Sequence, residues 1–215
     1  MTIKPIDPAA LVPKGIDWGK TGAGPSGGGS ALVNVLVFDG LYTKLGQEEL
    51  PVRDGRLDIS GCEDISYIAV LNRYGKGSAA HGVMKGFGLK RGAAATTVSH
   101  DSHNLTLIYK DPEMAAFLGN LLIDCGGGIA AGVSRDDYKI VELPIGGLMS
   151  PLSAEELTPG IKAVEEALSG ISGGRIQSLL NTAVLTLPVI PEIRVTDAGI
   201  VDVIKQEFIP LYPGQ

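Results

Sequence analysis

The rhythm of hydrophobic and polar positions changes several times along the chain, and each change marks an element. From Leu32 the residues alternate with a period of two, as ALVNVLVFDG at 31–40 and then LYTKLGQEELPV at 41–52, with Asp39-Gly40 between them as the turn pair of a β-hairpin. ISYIAVLNRY at 65–74 carries an unbroken β-rich run from Ile65 to Leu71, the pattern of a strand buried on both faces. GKGSAAHGVMKGFGLKRG at 75–92 is punctuated by glycine and reads as a loop whose backbone can approach a neighbour closely. Small and β-branched residues from Ala93 to Val98 and the alternating LTLIYK at 105–110 are two further strands, joined by SHDSHN at 99–104.

A helical period takes over after Asp111-Pro112, where Asp is a natural N-cap and Pro fits the first helical position. Met114, Phe117, Leu118, Leu121 and Leu122 fall on one face, and Gly126 to Gly128 end the run. GIAAGV at 128–133 and YKIVEL at 138–143 predict two strands around an Arg135-Asp136-Asp137 turn. Ser153 and Glu156 form a capping box for a helix running to about Leu168. A short helical piece near 176–180 precedes TAVLTLPVIPEIRVTDAGIVDV at 182–203, which Pro188 and Pro191 confine to sheet edges or extended loops. Short hairpin connections dominate, which predicts an α+β fold of layered, largely antiparallel sheets with covering helices.

Composition adds a boundary. Residues 1–31 are rich in Pro, Gly and Ser and end in GKTGAGPSGGGS, so they read as a flexible tail, leaving 32–215 as one domain. Gly19-Lys20-Thr21 is not a phosphate loop, because Lys14 stands where that motif requires glycine. The net charge of -6 and the lack of a basic run speak against a nucleic-acid partner. Neither a signal-peptide core nor an apolar run of membrane-spanning length is present, so the expectation is a cytoplasmic protein with no membrane association. Cys62 and Cys125 are isolated thiols without a C-x-x-C pair, and read as core residues.

Chemistry concentrates at SHDSHN. Imidazole and carboxylate titrate or coordinate near neutral pH, and two of the three histidines lie here. His100, Asp101 and His103 are the candidate catalytic residues, with Ser99, Ser102 and Asn104 as candidate substrate contacts. His100 and His103 are the candidate metal ligands, with Asp101 as an oxygen ligand or its supporting partner. The competing reading is a hydrogen-bonded turn, because Ser, Asp and Asn are ordinary turn residues. His81 stands alone and reads as a satisfied histidine.

KGFGLKRGAAATTVSHDSHN at 85–104 resembles the C-terminal domain of bacterial adenine deaminases, as do PVRDGR at 51–56, LPIGGLMS at 143–150, LPVIPEIRVTDAGIVDV at 187–203 and EFIPLY at 207–212. The resemblance spans about residues 50 to 215. In that family the domain follows an amidohydrolase-type (β/α)8 barrel whose two-metal centre hydrolyses adenine to hypoxanthine. A barrel needs about 200 residues of its own, and three histidines do not supply its ligand set, so the chain is expected not to be a complete enzyme alone. The resemblance therefore implies adenine or a related purine as substrate, and a separate amidohydrolase barrel subunit as partner. It also implies a divalent metal (Mn, Fe or Zn) held mainly by that barrel, and a homo-oligomer. The alternative is a non-catalytic purine- or metal-binding or assembly module.

Overall fold

A computed structural model describes residues 1–14, 29–99 and 101–214. The elements are α1 (Pro8–Leu11), β1 (Gly29–Asp39), β2 (Tyr42–Arg53), β3 (Arg56–Leu57), β4 (Ile65–Leu71), β5 (Ala79–Lys85), β6 (Ala93–Thr96), β7 (Leu105–Tyr109), α2 (Pro112–Asp124), β8 (Gly128–Ser134) and β9 (Asp137–Glu142). They continue with α3 (Ala154–Ile171), α4 (Leu180–Ala183), β10 (Ile193–Thr196), β11 (Gly199–Asp202) and β12 (Glu207–Ile209). Among the described residues nine strands form one sheet in the order β3-β2-β1-β5-β4-β7-β6-β8-β9, and β10-β11-β12 form a second. Neighbours run antiparallel except β1 and β5, so the α+β, largely antiparallel expectation holds.

Strands β4, β6 and β7 have no solvent face, because both sides of the sheet are covered. On one side α2 brings Met114, Leu118 and Leu122 onto Tyr67, Leu107 and Tyr109. On the other, α3 places Val164, Leu168 and Ile171 with Ile68, Val70 and Ile108, and Ile193, Val195 and Ile200 of the small sheet complete that layer. Each such leucine or isoleucine taken fully out of water contributes about 1.5–3 kcal/mol before the cost of ordering it. The helix starts follow the sequence: the Asp111 side chain accepts from the Glu113 and Met114 amides, and Ser153 and Glu156 form the reciprocal box.

The expected tail is corrected for residues 1–14, which are packed onto the domain. Ile6 and Leu11 are buried, Ile6 exchanges backbone hydrogen bonds with the Asn120 side chain, and the Tyr109 hydroxyl donates to Leu11 O at 2.6 Å. Averaging those few apolar residues with the glycine-rich stretch hid them. Gly29 and Ser30 likewise belong to β1, and the Gly19-Lys20-Thr21 stretch lies outside the described residues.

The 75–92 segment also differs from expectation, since β5 runs through its middle between β1 and β4. Gly82 breaks the alternation because a Cβ there would lie 3.1 Å from Ile68 Cγ2. Thr182–Thr186 are helical rather than extended, since the two prolines restrict only their own surroundings and Val184 and Leu185 bury against the core. The parallel contact of β1 and β5 is short, with Leu36 opposite Met84 and Val37 opposite Lys85. Before it, Asn34 turns to the C-terminal segment, donating its backbone amide to Leu211 O and its side-chain amide to Pro210 O. No helix among the described residues is long and apolar enough to cross a membrane.

Candidate functional site

Residues 97–104 connect β6 to β7, which pair with Thr96 opposite Thr106, so the hairpin expected from the sequence is present. The connection is bent by left-handed backbone at Asp101 (φ 64°) and His103 (φ 50°), and the His103 amide donates to Ser99 O at 2.7 Å. Left-handed conformations are tolerated by Asp and His better than by most residues, but they still cost free energy that neighbours must offset. The neighbours are specific. Tyr74 donates its hydroxyl to Ser102 O at 2.8 Å, and Arg73 Nη1 reaches His103 O at 3.2 Å and Gly146 O at 2.6 Å.

Gly147 is pinned in the same place. Its φ is +75°, and a Cβ there would stand 2.5 Å from Arg73 Nη1. Its carbonyl accepts from the Thr97 hydroxyl at 2.7 Å, so the 144–149 loop, the β4–β5 loop and the 97–104 connection form one assembly at one end of the large sheet.

A polar cluster supports it from the small sheet. Asp197, in the turn between β10 and β11, accepts from Asn72 Nδ2 at 2.8 Å, Ser78 Oγ at 2.6 Å and Asn104 Nδ2 at 3.0 Å. Burial alone would push this carboxyl up, but the hydrogen bonds donated by Ser78, Asn72 and Asn104 outweigh it and hold the pKa below the ordinary value of 3.8. Asn104 also accepts from the Arg73 amide through Oδ1, which fixes the orientation of its side chain.

The six candidate residues thus divide. Ser99 is fully buried, with its hydroxyl paired to Thr186 Oγ1, and Asn104 is 2 % exposed with its amide committed to Asp197, so both are bonded within the protein. Asp101 is exposed and Ser102 half-buried. His103 is half-buried, and its Nδ1 is enclosed without a hydrogen-bond partner among the described residues. His100 lies outside the described residues. Among the described residues no group of three or more His, Cys, Asp or Glu side chains is placed to hold a metal ion. His81 is on β5, two positions in from its start, and lines a separate cavity with Asp7, Lys14 and Arg56; contrary to the expectation of a satisfied histidine, its Nδ1 is enclosed without a hydrogen-bond partner among the described residues, because the strand pairing of β5 commits the neighbouring backbone groups.

Arg73, Tyr74, Asp197 and Gly147 were not singled out from sequence. The available signal was the NRYG run closing a buried strand, where polar residues mark the point at which a sheet opens to solvent.

Comparison with known proteins decides the family. The model of the adenine deaminase C-terminal domain matches residues 40–207. This chain belongs to that family. Among adenine deaminases, that of Moorella thermoacetica is 35% identical over 191 residues, covering 86% of this chain and 32% of the relative. The adenine deaminase of Bdellovibrio bacteriovorus is 43% identical over 149 residues, 69% of this chain and 25% of the relative. That of Methanothermobacter thermautotrophicus is 37% identical over 183 residues, 84% of this chain and 34% of the relative. The chain spans about a quarter to a third of the length of these curated relatives. Within the adenine deaminase C-terminal domain, the 97–104 connection and its anchors all fall inside the matched range.

Proposed function

We propose that this domain works with an amidohydrolase-type barrel in the hydrolytic deamination of adenine to hypoxanthine and ammonia, and that it contributes the 99–104 loop to the shared site. The observation that carries the reading is the anchored left-handed turn at Asp101 and His103, held at the open end of the sheet by Arg73, Tyr74 and Asn104. A loop braced this firmly keeps Asp101, Ser102 and His103 in a fixed arrangement, which is what positioning a substrate requires. Membership of the adenine deaminase C-terminal domain family supports the choice of substrate.

In this reading His100, Asp101 and His103 bind the purine or carry protons between the leaving amine and solvent, and Ser102 makes a polar contact. Ser99 and Asn104 hold the loop from beneath through Thr186 and Asp197. Activation of water by Mn, Fe or Zn belongs, in this reading, to the barrel. His100 and His103 are nitrogen donors toward such a metal only when the barrel completes the ligand set.

The test is adenine turnover, followed by the change in ultraviolet absorbance, for the chain alone with added Zn, Mn or Fe and for the chain combined with its barrel. Turnover is expected only in the combination. Replacing His100 and His103 by Ala is expected to lower it about a hundredfold or more, the usual contribution of a positioned acid or base. Unchanged activity and metal content in that variant would make the loop a structural turn, and the domain a binding or assembly module.

A further inference from the structure

Where the N-terminal segment packs on the domain it encloses a cavity of about 380 Å³, lined by Asp7, Val12, Pro13 and Lys14 of that segment, by Arg56 of β3 and by His81 of β5. His81 faces it because it shares a side of β5 with Val83, which packs in the same core layer as Ile6 and Leu11. The walls are held by the protein itself. Arg56 donates from Nη1 to Ala9 O and, at 3.0 Å, to Val12 O. Pro13 O accepts from the Leu57 amide at 3.2 Å, and Lys14 O accepts from the Tyr212 hydroxyl at 2.6 Å.

The polar groups at the cavity are mainly donors. Arg56 commits Nη1 to the two carbonyls, and its Nε and Nη2 bond to none of the described residues. Lys14, like Arg56, can only donate. The one carboxylate is partly engaged, since Asp7 Oδ1 accepts from the Ala9 amide at 2.9 Å as the cap of α1. Two cations against one anion leave an excess of one positive charge among the lining residues. His81 adds a third donor. Burial lowers its pKa, so at neutral pH the ring is uncharged and carries a single N–H. Its Nδ1 is enclosed without a partner, and orphaned N–H groups are rarer in interiors than under-satisfied acceptors. The proton therefore sits on Nε2, on the edge by which the half-buried ring meets the cavity.

We infer that this cavity binds a small organic monoanion, a carboxylate with a short apolar body. The carboxylate takes the N–H groups of Arg56, Lys14 and His81, and the body packs on Val12 and Pro13. A planar carboxylate suits the Nε and Nη2 donors of Arg56, which lie side by side in the guanidinium fork. Its single charge matches the excess of one, whereas a dianion would leave a charge uncompensated beside Asp7. Bound there, the anion adds a tie between residues 7–14 and strands β3 and β5. The site does not rest on the function proposed above.

Butyrate is the probe, with butyramide as its uncharged counterpart and inorganic phosphate, largely dianionic at pH 7.5, as the alternative anion. Nitrogen-15 spectra of the His81 ring in the full chain at pH 7.5 are expected to show the Nε2–H tautomer and to shift as butyrate is added, with no shift from butyramide. Amide hydrogen exchange over residues 9–12 is expected to slow at the same time. Lys14→Met should weaken butyrate binding about tenfold, and Arg56→Met at least as much. Lys44→Met, the same loss of charge at an exposed position of β2, should leave affinity unchanged. If Arg56→Met loosens the N-terminal segment, Lys14→Met still decides, because that residue is exposed. An Nδ1–H ring, an equal response to butyramide, tighter binding of phosphate than of butyrate, no response at all, or an unaltered affinity in Lys14→Met would overturn the inference.

Discussion

Asn104 donates its side-chain amide to Asp197 Oδ1 at 3.0 Å, joining positions 93 residues apart in the chain. The bond ties the connection after β6 to the turn of the small sheet, so the candidate loop is stabilised by an element that forms at the far end of the sequence. Asn72 and Ser78 donate to the same carboxylate and bring the β4–β5 loop into the tie.

Asp197→Ala removes the acceptor of three side-chain donors and is expected to cost about 1–3 kcal/mol in urea unfolding. The pH dependence follows from the depressed carboxyl. Because the folded pKa lies below the ordinary 3.8, the contribution of Asp197 is fully present above that value and is lost as pH falls through the folded pKa. The acid limb of the stability curve below about pH 4 should therefore be shallower in the variant. An identical limb in both proteins would show that the tie carries no stability.

Gly147→Ala places a methyl group against Arg73 at a position whose φ is +75°. A loss of about 1–3 kcal/mol is expected from the two effects together. Hydrogen exchange should show the added exposure at 97–104 and 144–149 rather than in α2. A uniform change across the domain would contradict the proposed assembly of loops.

Arg194 is fully buried, with its guanidinium donating to Ile190 O, Leu41 O, Pro191 O and the Thr43 hydroxyl. Burial pushes its pKa down to about 10, which still leaves it charged at neutral pH. Arg194→Ala strands those acceptors and is expected to destabilise by about 2–4 kcal/mol. Arg194→Lys should recover only part, because a single ammonium cannot reproduce the planar fork. Chemical denaturation of both variants checks the order.

His81 has its pKa lowered by burial. Its unfolded form binds a proton first as pH falls, so stability is lost from about pH 6.5 downward until the folded pKa is passed. His81→Gln should lose less stability than the parent between about pH 7 and about pH 5, measured by urea titration at both values. Equal losses would assign the acid sensitivity elsewhere.

Local signals in the sequence account for much of this. Asp39-Gly40, Asp111-Pro112 and the Ser153/Glu156 box each mark an element edge by the chemistry of a turn or cap, and each stands where expected. What escaped depended on partners distant in sequence. β5 is a strand because β1 and β4 flank it, not because its own pattern alternates. Residues 1–14 are ordered because α2 and Tyr109 offer them apolar surface and a hydroxyl, which composition cannot register. At the candidate site the turn could be read from SHDSHN, while its brace could not. Arg73, Gly147 and Asp197 come from three separate loops, and only the strand order brings them together.

The seat of Leu211 beside Asn34 has a consequence for biosynthesis. The first half of β1 has no β5 partner, and the chain after β12 fills that place, so the strand is completed by residues that follow it by 176 positions. On the ribosome the β1–β2 hairpin must therefore wait with one edge open, exposed to chaperones or to stray pairing, until Pro210 and Leu211 emerge to close it.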